Sequence, residues 1–290
     1  MQFFTERAIK ERSFSRTAPG QLGTLPIDTA GTYHQFKMDL LNGLTASNFS
    51  EFRLNANGRT IWNVDGDFLD ARHFFLTGEA SDDIEQLVID LKEPRPAVEA
   101  NRYSSSIPVA GVRVAGRIET LTIEKKLSAD APANSDVETR SIVSDGITDG
   151  QGNTPPPGIL RSIHSFPVTL RKGEVIIDEF TEGGIPRDKT YLRRIWFKID
   201  AGHIKGIQIR DNTDIRSEPT VADTEREQDM LGFTPQEGWF VLDPVLDRSE
   251  VGFALEEFQK FNLLLTMDDS GATALPDSMT IYAEYDGEPI

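Results

Sequence analysis

Four histidines, His34, His73, His164 and His203, are the first candidates for chemistry in this 290-residue chain, because imidazole moves protons and binds metals near neutral pH. None sits in a metal-binding pair such as H-E-x-x-H. His34 falls on the apolar face of an alternating segment and His73 adjoins Phe74 and Phe75, which are settings for structural histidines. No G-x-S-x-G elbow exposes a serine nucleophile. The absence of cysteine removes thiol nucleophiles, disulfide frameworks and zinc ribbons. Gly111-Val-Arg-Val-Ala-Gly116-Arg117 has the glycine spacing of a phosphate loop, but Lys and Ser or Thr are missing where phosphate and magnesium would need them. A strand flanked by glycines is the simpler account. Asp65, Asp67 and Asp70, like Asp145 and Asp149, are oxygen donors of the type calcium takes, yet neither set has the spacing or glycine of an EF-hand loop. They read as solvated acidic loops. Paired carboxylates for glycoside hydrolysis need a separation of roughly 5 to 10 Å, which a sequence does not display. The expectation is a protein that is not an enzyme, with no catalytic residue, no catalytic cofactor and no metal ligand assignable from sequence.

The elements that carry these residues follow period two. Phe36, Met38 and Leu40 alternate with Gln35, Lys37 and Asp39, as a strand buried on one face requires. Phe52, Leu54 and Ala56 repeat the pattern, and Asn57-Gly58 then supplies the residues that tolerate positive φ in a two-residue hairpin turn before Thr60-Ile-Trp62. Asp65 to Leu76 has helix-like apolar spacing. Leu87 to Leu91 returns to strand, and Pro94 and Pro96 stop it.

A second round begins near residue 188. Ile195, Phe197 and Ile199 alternate with Trp196 and Lys198, and Ile207 and Ile209 stand 155 positions after Phe52 and Leu54. Asp211-Asn212 takes the place of Asn57-Gly58 at an offset of 154. A helix over Val221 to Leu231 and a strand over Trp239 to Leu242 follow, and each half closes on an alternating strand: Leu121, Ile123 and Leu127 in one, Met279, Ile281, Ala283 and Tyr285 in the other. Identity between the halves is low, so one duplicated module and two unrelated β-sandwiches both fit. With no long helical crossovers, the class is all-β with short helical insertions, in Greek-key sandwiches.

The boundaries expected are an N-terminal arm over 1–23, a first sandwich over 24–128, a connector over 129–187 and a second sandwich over 188–290. Within the connector, Ser128 to Gly158 is rich in Gly and Pro and acidic, with few large apolar residues, which marks a loop. The formal charge is −17, whereas the arm sets Arg7, Lys10, Arg12 and Arg16 against Glu6 and Glu11, a local +2. That balance argues against a specific nucleic-acid partner and lets the arm meet anionic lipid. No apolar run reaches bilayer length and the start lacks the order of a secretion signal, so the expectation is a soluble cytoplasmic product. Of three tryptophans only Trp196 sits on the polar face of its strand, where a carbohydrate-binding groove would display it.

The segment Thr24-Leu-Pro-Ile-Asp-Thr-Ala-Gly-Thr-Tyr33, with the strand pair through Asn57-Gly58-Arg59, resembles the opening of the major capsid protein of corticoviruses, lipid-containing marine bacteriophages. Gly184-Ile-Pro-Arg187, Tyr191-Leu-Arg-Arg-Ile-Trp-Phe-Lys-Ile-Asp-Ala-Gly202 and Ile207-Gln-Ile-Arg210 resemble the start of that family's second barrel, and Ile281-Tyr-Ala-Glu-Tyr285 its last strand. The resemblance covers most of 24–128 and 158–287. It implies a double jelly roll, two antiparallel eight-stranded β-sandwiches side by side, whose homotrimers form pseudo-hexagonal capsomers of an icosahedral shell over an internal membrane. It further implies assembly in the host cytoplasm, structural calcium between carboxylates, and minor capsid or membrane proteins as partners, with the arm facing inward. The alternatives are a carbohydrate- or receptor-binding β-sandwich protein, such as a viral spike or lectin, and a glycoside-processing enzyme.

Overall fold

In a computed structural model of the chain, the residues described are all but 1–5, 28–30, 94–101, 110–117, 134, 146–158, 179, 181–188, 245–251, 270–273 and 288–290. Two compact units divide it: residues 1–162 with 288–290, and residues 163–287.

The first unit contains β1 (Arg7–Lys10), β2 (Leu22–Ile27), β3 (Gly31–Leu40), β4 (Phe49–Ala56), β5 (Arg59–Val64), β6 (Gln86–Asp90), β7 (Ile107–Val109), β8 (Leu121–Leu127) and β9 (Val137–Ser144). Between β5 and β6 lie α1 (Gly66–Thr77) and α2 (Ser81–Ile84). The strands make two sheets, in the orders β1-β9-β3-β6 and β5-β4-β8-β2, with β7 also on β3. Alternation drives this packing. Phe52 and Leu54 on β4, Ile123 on β8 and Phe36 and Met38 on β3 are fully buried, while their neighbours in sequence are partly exposed.

The second unit contains β10 (Leu160–Thr169, from Ile163 onward), β11 (Gly173–Ile177), β12 (Tyr191–Phe197), β13 (Ile204–Asp211), β14 (Asp214–Ser217), β15 (Phe240–Leu242), β16 (Phe253–Ala254), β17 (Phe261–Met267) and β18 (Ser278–Gly287), with α3 (Val221–Met230) after β14. Its orders are β10-β18-β12-β15 and β14-β13-β17-β11, with β16 also on β12. Adding nine to every strand number of the first unit generates the second. Each unit is a jelly roll of eight strands plus one short strand on its third, and the duplication holds in topology.

It also holds residue by residue. β4 and β13 are eight residues long, 155 positions apart, and share one burial pattern. Each follows a single 3-10 turn, Ala46–Asn48 and Ala201–His203, at the same offset. The turns after them agree as well: Asn57 and Asn212 have φ of 50° and 58°, so the equivalent of Asn57 is Asn212, and the offset is 155 there too, not 154. In the first unit Gly58 follows at φ 76°, a two-residue turn with both φ positive. α1 and α3 begin 155 positions apart, capped by Asp65, which accepts from the Phe68 amide at 2.8 Å, and by Thr220, which accepts from the Asp223 amide at 3.0 Å.

Three expected boundaries move. The connector does not reach back to 129: Val137–Ser144 is β9, which lies between β1 and β3. The positions that face the core there include Thr139 and Ser141, buried but polar, so the alternation carries almost no hydrophobic contrast. Its counterpart is β18, and β8 matches β17, so Leu121 to Leu127 is not the closing strand of its half. The second jelly roll starts at β10 and β11, inside the expected connector. The arm is not separate over all of 1–23: β1 pairs with β9 from Arg7↔Val143 to Lys10↔Arg140. Phe14 is buried, and Leu22 opens β2.

Candidate functional site

Each histidine is used by the fold. His34 lies at an irregularity in the β3–β9 ladder between Tyr33 and Gln35. Its Nδ1 and Nε2 meet the Ser106 and Ser144 hydroxyls, each at 2.8 Å. Burial pushes its pKa down to about 4; Glu6 opposes this and Lys92 adds to it. His73 Nδ1 is 2.6 Å from Asp90 Oδ2. His203 Nδ1 is 3.0 Å from the Asp268 carbonyl. His164 packs 6.2 Å from the Tyr285 ring, and burial lowers its pKa. Among the described residues no group of three or more His, Asp or Glu gathers as a metal site. Asp65 is a helix cap, Asp67 lies in the first turn of α1, and Asp70 accepts from the Ser81 amide at 2.6 Å. Asp145 pairs with Arg7 at 3.0 Å. Asp149, Gly111–Arg117 and Gly184–Arg187 lie outside the described residues.

Trp196 corrects one expectation. It is wholly buried, its Nε1–H donating to Glu284 at 2.9 Å, and it packs edge-on to Trp239, which in turn lies against Tyr282. β12 is covered on both faces at Ile195, Trp196 and Phe197, so alternation no longer tells core from solvent. Trp62 and Trp239 are buried as well. None of the three tryptophans is displayed as a carbohydrate platform.

A cleft of about 480 Å³ in the second unit is lined by Glu218, Asp223, Glu227 and Asp243. Asp243 is committed to Arg194, Asp223 to Thr220 and Arg226, and Glu218 to Gln208. Three of the four carboxylates thus serve as structural partners.

What remains exposed is sheet edge. Among the described residues β1 pairs on one side only, with β9, and β14 on one side only, with β13. All four residues of β14 are exposed, Ile215 to 50 %. Three of the four residues of β1 are exposed, and its Arg7 and Lys10 reach Asp145 and Glu138 at 3.0 and 2.8 Å. Short, charged edges of this kind are protected against indiscriminate pairing and remain open to a specific one.

Comparison with known proteins agrees with this reading of a scaffold. The model of the viral coat protein P2 N-terminal domain matches residues 8–144, and that of the P2 C-terminal domain matches residues 160–287. No curated protein matches the sequence. Among solved structures, the major capsid protein P2 of bacteriophage PM2 is similar with a TM-score of 0.76 at 15 % identity, over 98 % of this chain and 97 % of that one. The STIV MCP is similar at 0.65 and 9 % identity, over 98 % and 97 %. The PBCV-1 capsid is similar at 0.64 and 10 % identity, over 98 % and 94 %. At these identities the structures speak for the double jelly-roll fold, and the two domain models speak for the family. Both models are matched in order, each on one of two jelly rolls with identical strand order, and the chain belongs to the viral coat protein P2 family as a structural protein of a viral capsid.

Proposed function

We propose that this chain is the major capsid protein, that it forms homotrimers with a pseudo-hexagonal outline, and that these capsomers tile an icosahedral shell over an internal membrane. The observation that carries the proposal is the duplication. Three copies of a chain made of two equivalent jelly rolls supply six similar lateral faces, and contacts between the first roll of one copy and the second of the next close a ring. In this reading the chain performs no catalysis and assembles in the host cytoplasm, where a protein without cysteine relies on packing and ions in place of disulfides. Light scattering on the purified chain tests it: a stable species of three times the 32.3 kDa chain mass is expected, and a monomer at every concentration contradicts it.

Two further parts of the proposal concern charge. At −17 per chain, neighbouring copies repel unless counterions intervene. Structural calcium between carboxylates of neighbouring copies would supply such a counterion. Excess EDTA should lower the melting temperature of particles, and unchanged melting rejects calcium bridging. The arm, through Arg7, Lys10, Arg12 and Arg16, meets anionic head groups or a minor protein on the inner face. Within one copy Arg7 and Lys10 pair with Asp145 and Glu138. Retention on anionic vesicles should fall in an Arg12→Ala/Arg16→Ala variant, and undiminished retention rejects the arm as the contact.

A further inference from the structure

We infer that the open edge of β14 is the docking place of the N-terminal strand β1 of a second copy of this chain, which makes the contact between copies a β-sheet addition, head to tail. The inference rests on the capsomer reading above and names the surfaces that would close its ring.

Strand equivalence supplies the reasoning. β14 is the counterpart of β5, and β10 is the counterpart of β1. Within the first unit the start of β10 meets β5: the Trp62 indole N–H donates to the Arg161 carbonyl at 3.0 Å. Ile61 and Trp62 are buried. Their counterparts 155 positions on, Arg216 and Ser217, are exposed, as are Asp214 and Ile215. One edge of the duplicated design is therefore met by the strand that leads into a jelly roll, and the equivalent edge stands open. The other strand leading into a jelly roll is β1. It pairs with β9 on one side, as β10 pairs with β18, and its other side is open among the described residues.

The chemistry of the two edges is complementary. Ser217 keeps a hydrogen-bond donor at the place of Trp62. β1 brings Arg7 and Lys10, which pair with Asp145 and Glu138 in their own copy, and β14 with its continuation brings Asp214 and Glu218 on either side of Arg216, whose charge is met by Asp211. Backbone N–H and C=O groups of both edges gain partners, the source of affinity in strand addition. β1 and β14 are different surfaces, so each copy offers one of each and the contact repeats around a ring instead of pairing two copies face to face.

Because the chain has no cysteine, introduced thiols report only on themselves. Ala8→Cys and Ile215→Cys, both at exposed positions, would be purified separately, mixed at equal concentration and treated with a short bismaleimide. The mixture should give several-fold more covalent dimer than either variant alone. The double variant should give covalent species up to the trimer. Ala8→Cys mixed with Ile176→Cys, exposed on β11 at the opposite edge of the same sheet, is the control. A light-scattering trimer whose cross-linking does not exceed this control overturns the strand addition and leaves the capsomer intact. A cross-link formed inside one copy, which runs ahead of the monomer on a denaturing gel, also overturns it. A monomer overturns both readings.

Discussion

Asp90 and Asp243 occupy the same place in the two jelly rolls and are satisfied in different ways. Each follows from pairing with the third strand: Gln35 stands opposite Asp90 on β3, and Arg194 is the counterpart of Gln35 on β12, next to the same ladder irregularity, here between Leu192 and Arg194. In the first roll the Gln35 amide donates to Asp90 Oδ1 at 2.6 Å and His73 of α1 meets Oδ2. In the second roll the Arg194 guanidinium takes Asp243 and also lies near Glu284. The helix position of His73 becomes Gln228, whose amide donates to the Val241 carbonyl at 2.7 Å. The scaffold requires a polar tie between the third and sixth strands of each roll. It does not require a guanidinium opposite the carboxylate. The tie through Arg194 is an ion pair that is satisfied only while both partners remain.

The largest effect should separate these two ties. Asp243→Ala leaves Arg194 buried without its principal carboxylate and should cost about 3 to 5 kcal/mol in urea unfolding. Asp90→Ala, with an uncharged amide opposite, should cost about 1 to 3 kcal/mol. Equal losses would break the distinction between the ties.

Next comes the start of the helices. Gly66 and Val221 are equivalent, yet a Cβ at Gly66 would lie 2.0 Å from the Ala46 carbonyl oxygen and 2.8 Å from Phe49 Cβ. Gly66→Val should destabilise by about 1 to 3 kcal/mol through overpacking, while Val221→Gly should cost only about 0.5 kcal/mol through helix propensity. If thermal unfolding ranks them the other way, the close approach of α1 to the preceding 3-10 turn is not what fixes the glycine.

A third difference lies in the core phase of β8. Lys125 is buried where β17 has Leu265, with its ammonium 5.1 Å from the Phe14 ring centroid and 6.0 Å from that of Phe49. Burial pushes its pKa down to about 8, against a smaller opposing pull from Asp136. Between about pH 8 and the unfolded value near 10.4, the unfolded chain holds the proton that the folded one has lost, so stability should rise with pH across that window. Lys125→Leu should abolish this rise and leave the protein more stable at pH 7. An unchanged pH profile would show that Lys125 is charged and well solvated in place.

The smallest effect concerns the hairpin anchors. Asn57 Oδ1 accepts from the Glu119 and Thr120 amides at 2.7 and 3.2 Å, and Asp211 Oδ1 accepts from the equivalent pair, Gln259 and Lys260, at 2.7 and 3.1 Å. The anchor has moved by one residue while its targets have not. Asn57→Ala should cost about 1 kcal/mol at any pH. The Asp211 carboxyl is held below its usual pKa by Arg216 and the Lys260 amide, so its contribution is present above about pH 4 and is lost as pH falls through the folded value. The deficit of Asp211→Ala should therefore shrink in acid, and a pH-independent deficit would contradict the ionic account.

These comparisons also show why some of the molecule was legible in sequence and some was not. β3, β4, β8 and β13 announce themselves because one face is core and the other water, and the turn at Asn57-Gly58 needs residues that accept positive φ. β9 hides because Thr139 and Ser141 hold core positions. Trp196 misleads because β12 is buried on both faces, and Lys125 because a cation fills a core position that its counterpart gives to leucine. The second jelly roll begins at β10, where His164, Ser165 and Pro167 break the alternation. The ties at Asp90 and Asp243 were out of reach of sequence, since they join residues 49 to 55 positions apart through strand register. The family could be read because strand order and turn chemistry survive where side chains diverge.

In the proposed capsomer the duplication builds a ring of alternating, equivalent jelly rolls. Electron microscopy of the purified oligomer tests it most directly. The account predicts three chains whose six jelly rolls give a projection with pseudo-sixfold outline. A particle without that repeat, or one in which the two jelly rolls do not alternate around an axis, would contradict it.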